Sequence, residues 1–317
     1  MSFNVAVLMD PIESIHIEKD TTFALLLEAQ RRGHRLQYLT QAALAVRDAA
    51  PWARARGLRV RDDAAAWFEL DAPHWLDLRG VDVILARKDP PVDGQFLYDT
   101  MVLELAQRAG VLVVNDPQGL RDANEKLFSL HFAQCIPPTL IAREAAEIRR
   151  FVAEHGDVVL KPLDGMGGRA IFRSTHGDPN LNVIVETLTE NGRNFTAVQR
   201  YIKEISAGDK RILMIDGEPV PYTLARMPQG DDFRGNLARG GKGVGMPLSD
   251  RERWIAAQVG PELSRRGMLF VGLDVIGDYL TEVNVTSPTC VRELDAQFGL
   301  NIAGQLFDAI EAKRRPQ

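Results

Sequence analysis

Leu273-Asp274-Val275-Ile276-Gly277-Asp278-Tyr279-Leu280-Thr281-Glu282-Val283-Asn284-Val285-Thr286-Ser287-Pro288 sets three hard oxygen donors, Asp274, Glu282 and Asn284, in an otherwise apolar hairpin. Strand side chains alternate faces, so Glu282 and Asn284 share one face while Val283 and Val285 point to the other, the core side. A carboxylate with an amide oxygen suits Mg²⁺. Protein carboxylates usually hold that ion together with substrate phosphates, so the segment asks for a nucleotide as its other half. The bland alternative is a solvated hairpin with ordinary acidic residues. Register decides whether Asp274 belongs. A simple Gly277-Asp278 turn would pair Asp274 with Thr281 and put it on the face opposite Glu282. A shared site therefore predicts a three-residue connection over 277–279, or an equivalent one-residue bulge, either of which sets Asp274 directly opposite Glu282. Two carboxylates held so close should repel until a cation binds.

Upstream, the runs 209–215 and 218–226 flank Asp216-Gly217, the strongest short-range hairpin signal. That turn pairs Ile215 with Glu218 and hence Arg211 with Tyr222, and Arg226 lies four residues further along the same face. Two arginines projecting together suit an enzyme that stabilises an acyl phosphate and an oxyanion; a charged solvated face is the alternative. Residues 229–245 carry Arg234, Arg239 and Lys242 among glycines, which reads as a mobile basic lid or a disordered loop. Ser249 caps a helix to about residue 266, and 300–313 forms a closing helix. Further upstream, Asp157-Val158-Val159-Leu160-Lys161-Pro162-Leu163-Asp164-Gly165-Met166-Gly167-Gly168 is a strand running into a glycine-rich loop that returns over 170–173. The glycines let backbone N–H groups approach an anion closely, and Lys161 supplies a point charge. The loop is neither a Walker motif nor a dinucleotide fingerprint, and a glycine-rich tip can also be only a turn. Helices are expected over 123–132, carrying Lys126, and over 144–154.

The first third alternates strands and helices: strands at 5–9, 35–40, 81–86 and 111–115, and helices from Asp20 or Thr21 to Gly33 and over 95–109. This predicts an open, mostly parallel α/β layout, followed after about residue 122 by an α+β pattern. Ligands in such sheets sit beyond the carboxyl ends of the strands, where Asp10 and Arg87-Lys88-Asp89-Pro90-Pro91 fall. Only short helices are placed between residues 41 and 78.

Composition supports a normal globular enzyme. With 38 basic against 43 acidic residues the net charge is −5, which invites no nucleic acid. The first residues read as a strand rather than a signal peptide, and no apolar run is long enough to span a bilayer, so a cytoplasmic protein is expected. Cys135 and Cys290 form no CxxC, and without a histidine partner Cys290 reads as a buried structural thiol rather than a nucleophile.

Together these segments resemble the ATP-grasp superfamily and, within it, the prokaryotic glutathione synthetases. The likeness rests on Val7-Leu8-Met9-Asp10-Pro11-Ile12, Arg87-Lys88-Asp89-Pro90-Pro91, Asn124-Glu125-Lys126-Leu127-Phe128, the 160–168 loop, Gly208-Asp209-Lys210-Arg211 and Thr281-Glu282-Val283-Asn284-Val285-Thr286-Ser287-Pro288-Thr289. It covers essentially the whole chain. The lysine-proline-glycine loop and Glu-x-Asn would fit many ATP-grasp ligases, while Arg-Lys-Asp-Pro-Pro and Thr-Ser-Pro-Thr narrow the family; residues 47–62 are less recognisable.

The resemblance implies an N-terminal substrate-binding domain, 1–122, followed by an ATP-grasp domain, 123–317, with glycine loop 163–168 and lid 229–245. It implies ligation of γ-glutamylcysteine to glycine through an acyl phosphate, giving glutathione, ADP and phosphate. By that likeness Lys126 and Lys161 hold ATP phosphates, and Asp164, Gly165, Gly167 and Gly168 belong to the loop that covers them. Gln199, Tyr201 and Ile202 meet adenine, and Asp209 the ribose. Asp274, Glu282 and Asn284 would hold the metal, two Mg²⁺ with Mn²⁺ as an alternative. Asp10, Arg87, Arg234, Asn284 and Ser287 would meet substrate, and Arg211 and Arg226 would be the catalytic pair. A homotetramer is also implied. Phosphoryl transfer depends on positioning and charge neutralisation, so these cations suffice without a protein nucleophile. Another carboxylate–amine ligase, such as one making D-alanyl-D-alanine, or a non-catalytic Mg-ATP sensor would share the nucleotide residues.

Overall fold

The computed structural model describes residues 2–165, 167–228, 235 and 242–314. The strand Asn4–Met9 runs parallel to Arg35–Leu39 on one side and Val83–Arg87 on the other, with Leu112–Val114 beyond. Strands buried on both faces read as continuous apolar runs, and Val5, Ala6 and Val7 are fully buried. Helix Thr21–Arg31 begins at Asp20, whose carboxylate accepts the Phe23 N–H at 2.6 Å. Helix Gly94–Arg108 begins in the same way at Asp93, with 2.9 Å to the Phe96 N–H. These elements stand where the sequence placed them.

Apart from a 3₁₀ turn at Gln41–Ala43, residues 41–78 form strands where only short helices were expected. Ala50–Val60 is a long strand that pairs antiparallel with Arg35–Leu39, Leu44–Arg47, Phe68–Leu70 and His74–Asp77. Alanine and arginine are good helix formers, but here they alternate with period two: Ala53 and Ala55 are buried while Arg54 is exposed. Pairing with a neighbouring strand overrides the local preference. The helix expected over 123–132 is also absent. Helix Pro117–Asp122 ends first, and the Asn124 side-chain oxygen then accepts the N–H groups of Lys126 and Leu127, both at 3.1 Å, before a 3₁₀ turn at Phe128–Phe132. An asparagine that bonds its own backbone competes with helix formation, so Lys126 sits on a turn.

Phe172–Thr175, Asp157–Pro162, Thr196–Arg200 and Thr139–Ala142 form a four-stranded antiparallel sheet in that order. Helices Ala145–His155 and Leu181–Thr189 accompany it, and Ile148, Val152, Val158, Leu160, Val185 and Val198 make a core of its own. A five-stranded antiparallel sheet follows, in the order Lys242–Pro247, Glu218–Met227, Asp209–Ile215, Phe270–Ile276, Tyr279–Asn284. Its core is continuous with the N-terminal one, for Leu8 and Ile84 pack in the same buried cluster as Ile212, Leu273 and Val283. Asn115 reinforces the junction: its amide nitrogen donates to the carbonyls of Phe270 and Val285, each at 2.7 Å, and its oxygen accepts the Phe270 N–H at 2.8 Å. Helix Asp250–Arg265, entered through a Ser249–Glu252 capping box, and helices Val291–Phe298 and Ile302–Arg314 complete the chain.

Both hairpin registers differ in detail from the simplest expectation. At Asp216-Gly217, Ile215 does face Glu218, but an irregularity between Ile212 and Met214 brings Leu224, not Tyr222, opposite Arg211. A slip of two residues keeps every side chain on its face, so the two arginines still converge. In the acidic hairpin Ile276 pairs with Tyr279 across a two-residue turn, and a bulge then sets Asp274 opposite Glu282. The bulge is the second of the two expected solutions. Of the expected lid, Lys242 to Gly245 are sheet, paired with 224–227. Residues 229–234 and 236–241, including Arg234 and Arg239, lie outside the described residues. Among the described residues no helix is long and apolar enough to cross a membrane.

Candidate active site

The three sheets surround a cavity of about 490 Å³ lined by Lys126, Lys161, Arg211, Arg226, Glu282 and Asn284, with Asp274 at its floor. Each charged group arrives by a local device. Lys161 ends its strand and Lys126 is presented by the Asn124 turn, and both ammoniums approach Glu282 Oε1, at 3.4 and 3.8 Å. Lys126 also donates to the Gly165 carbonyl at 3.0 Å, tying it to the glycine loop. Burial alone would raise the Glu282 pKa; the two lysines more than offset this and hold it below the usual carboxylate value.

Asp274 stands opposite Glu282 but answers to different cations. One carboxylate oxygen accepts from Arg211 Nε; the other lies 2.9 Å from both Arg211 Nη2 and Arg226 Nη2. Arg226 Nη2 also reaches Asp209 at 2.6 Å. Burial pushes the Asp274 carboxyl up, and the two guanidiniums outweigh it, holding it well below the usual range. Asp209 is pushed the other way because desolvation dominates, with only Arg226 opposing it. The expected repulsion between Asp274 and Glu282 is thus quenched by separate cation pairs, not left waiting for a metal.

The donor set for a divalent cation follows. The Asn284 amide nitrogen donates to the Gly272 carbonyl at 3.3 Å, which leaves its oxygen for a cation on the face it shares with Glu282. Glu282 and Asn284 therefore fit a hard cation whose coordination is completed by phosphate oxygens. Asp274 fits less well, because both its oxygens already serve arginines; it joins such a site by sharing them.

Other expected residues divide similarly. Gly165, Gly167, Gly168, Gln199, Tyr201, Ile202, Asp209, Asp10 and Ser287 line the cavity. Gly167 and Gly168 have φ of 61° and 75°, the left-handed region that glycine adopts freely. Asp164 is exposed and outside the cavity wall, because the strand has already turned into the loop tip. Arg87 is also outside the wall. It is 5% exposed, donates to Thr22 Oγ1 at 3.0 Å and to the Pro288 carbonyl at 2.9 Å, and burial lowers its pKa to about 10. Through these bonds it holds the 286–289 segment in place, while its Nη1 is buried without a hydrogen-bond partner. Cys290 is fully buried and its thiol pushed up by desolvation, the environment of an unreactive cysteine.

Glu125 is among the lining residues that the sequence reading missed. Glu125 lines the cavity beside Lys126, and desolvation raises its pKa to about 7. Thr286 Oγ1 donates to it at 3.4 Å. Nothing in the local pattern distinguishes it from a surface glutamate, since its burial depends on strand Tyr279–Asn284, whose Val283 N–H donates to the Glu125 carbonyl.

The family models described as "Prokaryotic glutathione synthetase, N-terminal domain" and "Prokaryotic glutathione synthetase, ATP-grasp domain" match residues 3–121 and 125–299. A glutathione synthetase of Xanthomonas campestris pv. campestris is 69% identical over 98% of this chain and 99% of its own length. One of Pseudomonas aeruginosa is 58% identical over 99% of each. Among solved structures, D-cycloserine synthetase DcsG superposes with a TM-score of 0.69 over 98% of this chain and all of its own, at 16% identity, a likeness of fold alone.

Proposed function

This chain belongs to the prokaryotic glutathione synthetase family, and from that premise we propose that its cavity joins γ-glutamylcysteine to glycine at the expense of ATP through an acyl phosphate. It is an ATP-dependent ligase. In this reading Lys126 and Lys161 leave Glu282 for the ATP phosphates under the glycine loop, and Gln199, Tyr201 and Ile202 receive the base, with Asp209 at the ribose. Glu282 and Asn284 would hold the divalent metal, taken as Mg²⁺ and as two ions, with Mn²⁺ able to substitute; Asp274 belongs to the same set, sharing its oxygens with Arg211 and Arg226. When bound, the metal neutralises charge on the transferring phosphoryl group. Arg211 and Arg226, held by buried carboxylates before substrate arrives, present fixed charge to the acyl phosphate and to the oxyanion formed when the amine attacks. Ser287 and Asp10 meet the peptide, Arg234 belongs with them, and Arg87 acts through Pro288. The same reading divides the chain into a substrate domain, 1–122, and an ATP-grasp domain, 123–317, with residues 229–245 as lid, and places a homotetramer in the cytoplasm.

The observation that carries this is the pairing of two displaceable lysines with two locked arginines around one cavity. A nucleotide sensor needs the lysines; two buried guanidiniums beyond them suit an enzyme that makes a reactive acyl phosphate. Phosphate release from ATP provides the test. It should require γ-glutamylcysteine and glycine together for full rate. Equal release with D-alanine would reassign the acceptor, and none with any carboxylate–amine pair would leave a sensor.

A further inference from the structure

The four-stranded sheet is fastened to the rest of the molecule at two ends. At the phosphate end the Asn124 side chain donates to the Leu163 carbonyl at 3.0 Å, and Lys126 to the Gly165 carbonyl. At the other end stands Arg200, which closes strand Thr196–Arg200 between Gln199 and Tyr201 and has no part in the reaction chemistry above. Its Nη2 donates to the Tyr279 hydroxyl at 3.0 Å, and its guanidinium lies over the Tyr279 ring, 5.3 Å from the centroid. Tyr279 opens the strand that carries Glu282 and Asn284, directly after the Gly277-Asp278 turn. That turn is itself anchored: the Asp278 carbonyl accepts from Arg251 Nε at 2.9 Å, and the Leu280 N–H donates to the Cys135 carbonyl at 2.8 Å. Glu204, in the 3₁₀ turn Lys203–Ala207, packs on Gly277 so closely that a Cβ added there would lie 3.1 Å from the Glu204 Cβ. One hairpin thus seats residues 199–204 at its tip and carries the metal donors along its strand.

Building on the ligase reading, we propose that Arg200 is a positioning residue which, through Tyr279, sets the spacing between the base segment 199–202 and the metal donors Glu282 and Asn284. The four-stranded sheet has a core of its own, with Val158, Leu160 and Val198 packed inside it, so contacts at its margins decide where it stands against the hairpin. A nucleotide held by its base at one end and by lysines and metal at the other spans that spacing, and an error of about 1 Å is enough to weaken its grip. Arginine suits the task because its planar fork engages the phenol ring and the hydroxyl together. Arg200 also lines the cavity, so a direct contact with the nucleotide is the rival role that the test must separate.

Magnesium tripolyphosphate has no base and therefore probes the phosphate end alone. In Tyr279→Phe, which keeps the ring and removes the hydroxyl, the KM for ATP should rise about 5- to 10-fold, the size of a lost hydrogen bond to a charged group. The kcat, the KM for γ-glutamylcysteine and the inhibition constant of tripolyphosphate should stay within about twofold, because the lysines, arginines and metal donors are untouched. Arg200→Met should raise the ATP KM about 10-fold, and in the double variant the two effects should not multiply, since either change alone breaks the same contact. An ATP KM equal to wild type in both single variants would overturn the role and leave the ligase standing. So would a parallel rise in the tripolyphosphate constant, the mark of a general structural contact, or multiplying effects in the double variant, which would place Arg200 on the nucleotide itself. A wild-type protein that releases no phosphate from ATP with both substrates present would overturn the ligase reading and this role with it.

Discussion

Two pairs of cations face one cavity, the lysines from the four-stranded sheet and the Asn124 turn and the arginines from the five-stranded sheet, but they are held differently. Lys126 and Lys161 share one oxygen of Glu282 at 3.8 and 3.4 Å, beyond good hydrogen-bond length. Arg211 and Arg226 are packed against Asp274 and Asp209 with contacts of 2.9 Å or less. The sheet that bears Lys161 also has a separate core, while the arginine sheet is continuous with the N-terminal one. Loosely held cations can move to a ligand. Locked ones provide preorganised charge and are part of the fold's stability.

The sharpest way to break this contrast is Asp274→Ala. Removing one member of a buried ionic cluster leaves two guanidiniums without their shared counter-charge, a loss of about 3–5 kcal/mol, so chemical denaturation should show a large drop in stability together with loss of turnover. A variant as stable as wild type would mean that the arginines are not locked. Lys161→Ala should behave in the opposite manner. Stability should change by less than about 1 kcal/mol, because its only ion pair among the described residues is long and partly wet. ATP affinity measured by calorimetry should fall about 100-fold, as for loss of a charge-assisted phosphate contact. Normal nucleotide binding would remove Lys161 from the phosphate site.

Titration sharpens the comparison further. Glu125 has its folded pKa raised from 4.5 to about 7. Between those values the unfolded chain has lost the proton that the folded protein keeps, so stability declines as pH rises through this window, by roughly 3 kcal/mol. Glu125→Gln should flatten that slope in urea titrations of the ligand-free protein. Asp274 acts with the other sign. Its folded pKa is depressed, so its contribution is present above the unfolded value of 3.8 and is lost as pH falls below it. An unaltered slope in the Glu125 variant would show that the carboxylate is solvated. The smallest effect is expected for Cys290→Ser: the thiol is buried and outside the chemistry, so turnover should stay within about threefold and stability should drop by about 1 kcal/mol for burying a hydroxyl. Complete inactivation of the folded variant would give Cys290 a role that the geometry denies it.

Much of the site was legible because its residues lie close together along the chain. Glu282 and Asn284 share a face by strand period alone, and Lys161 with its glycines forms one continuous strand and loop. The parallel N-terminal strands were legible from apolar runs and capped helices between them. The strand Ala50–Val60 was not, since its alternation is written in residues with helical preference and is decided by four neighbouring strands. Lys126 was expected on a helix and stands on a turn, because Asn124 turned the backbone.

The chain by itself therefore determined the types of charge this protein uses, and through local periodicity which of them share a face. Tertiary structure alone decided the partners. A bulge put Asp274 opposite Glu282, yet it is Arg211 and Arg226, brought from another hairpin, that claim Asp274 and leave Glu282 to the lysines. Arg87, expected to meet substrate from its position at a strand end, is bonded to Thr22 and Pro288 where the chain closes over it. The reason is physical: periodicity is a property of neighbouring residues, whereas burial and ion pairing depend on contacts between segments far apart in the chain, as the separation of 63 positions between Arg211 and Asp274 illustrates.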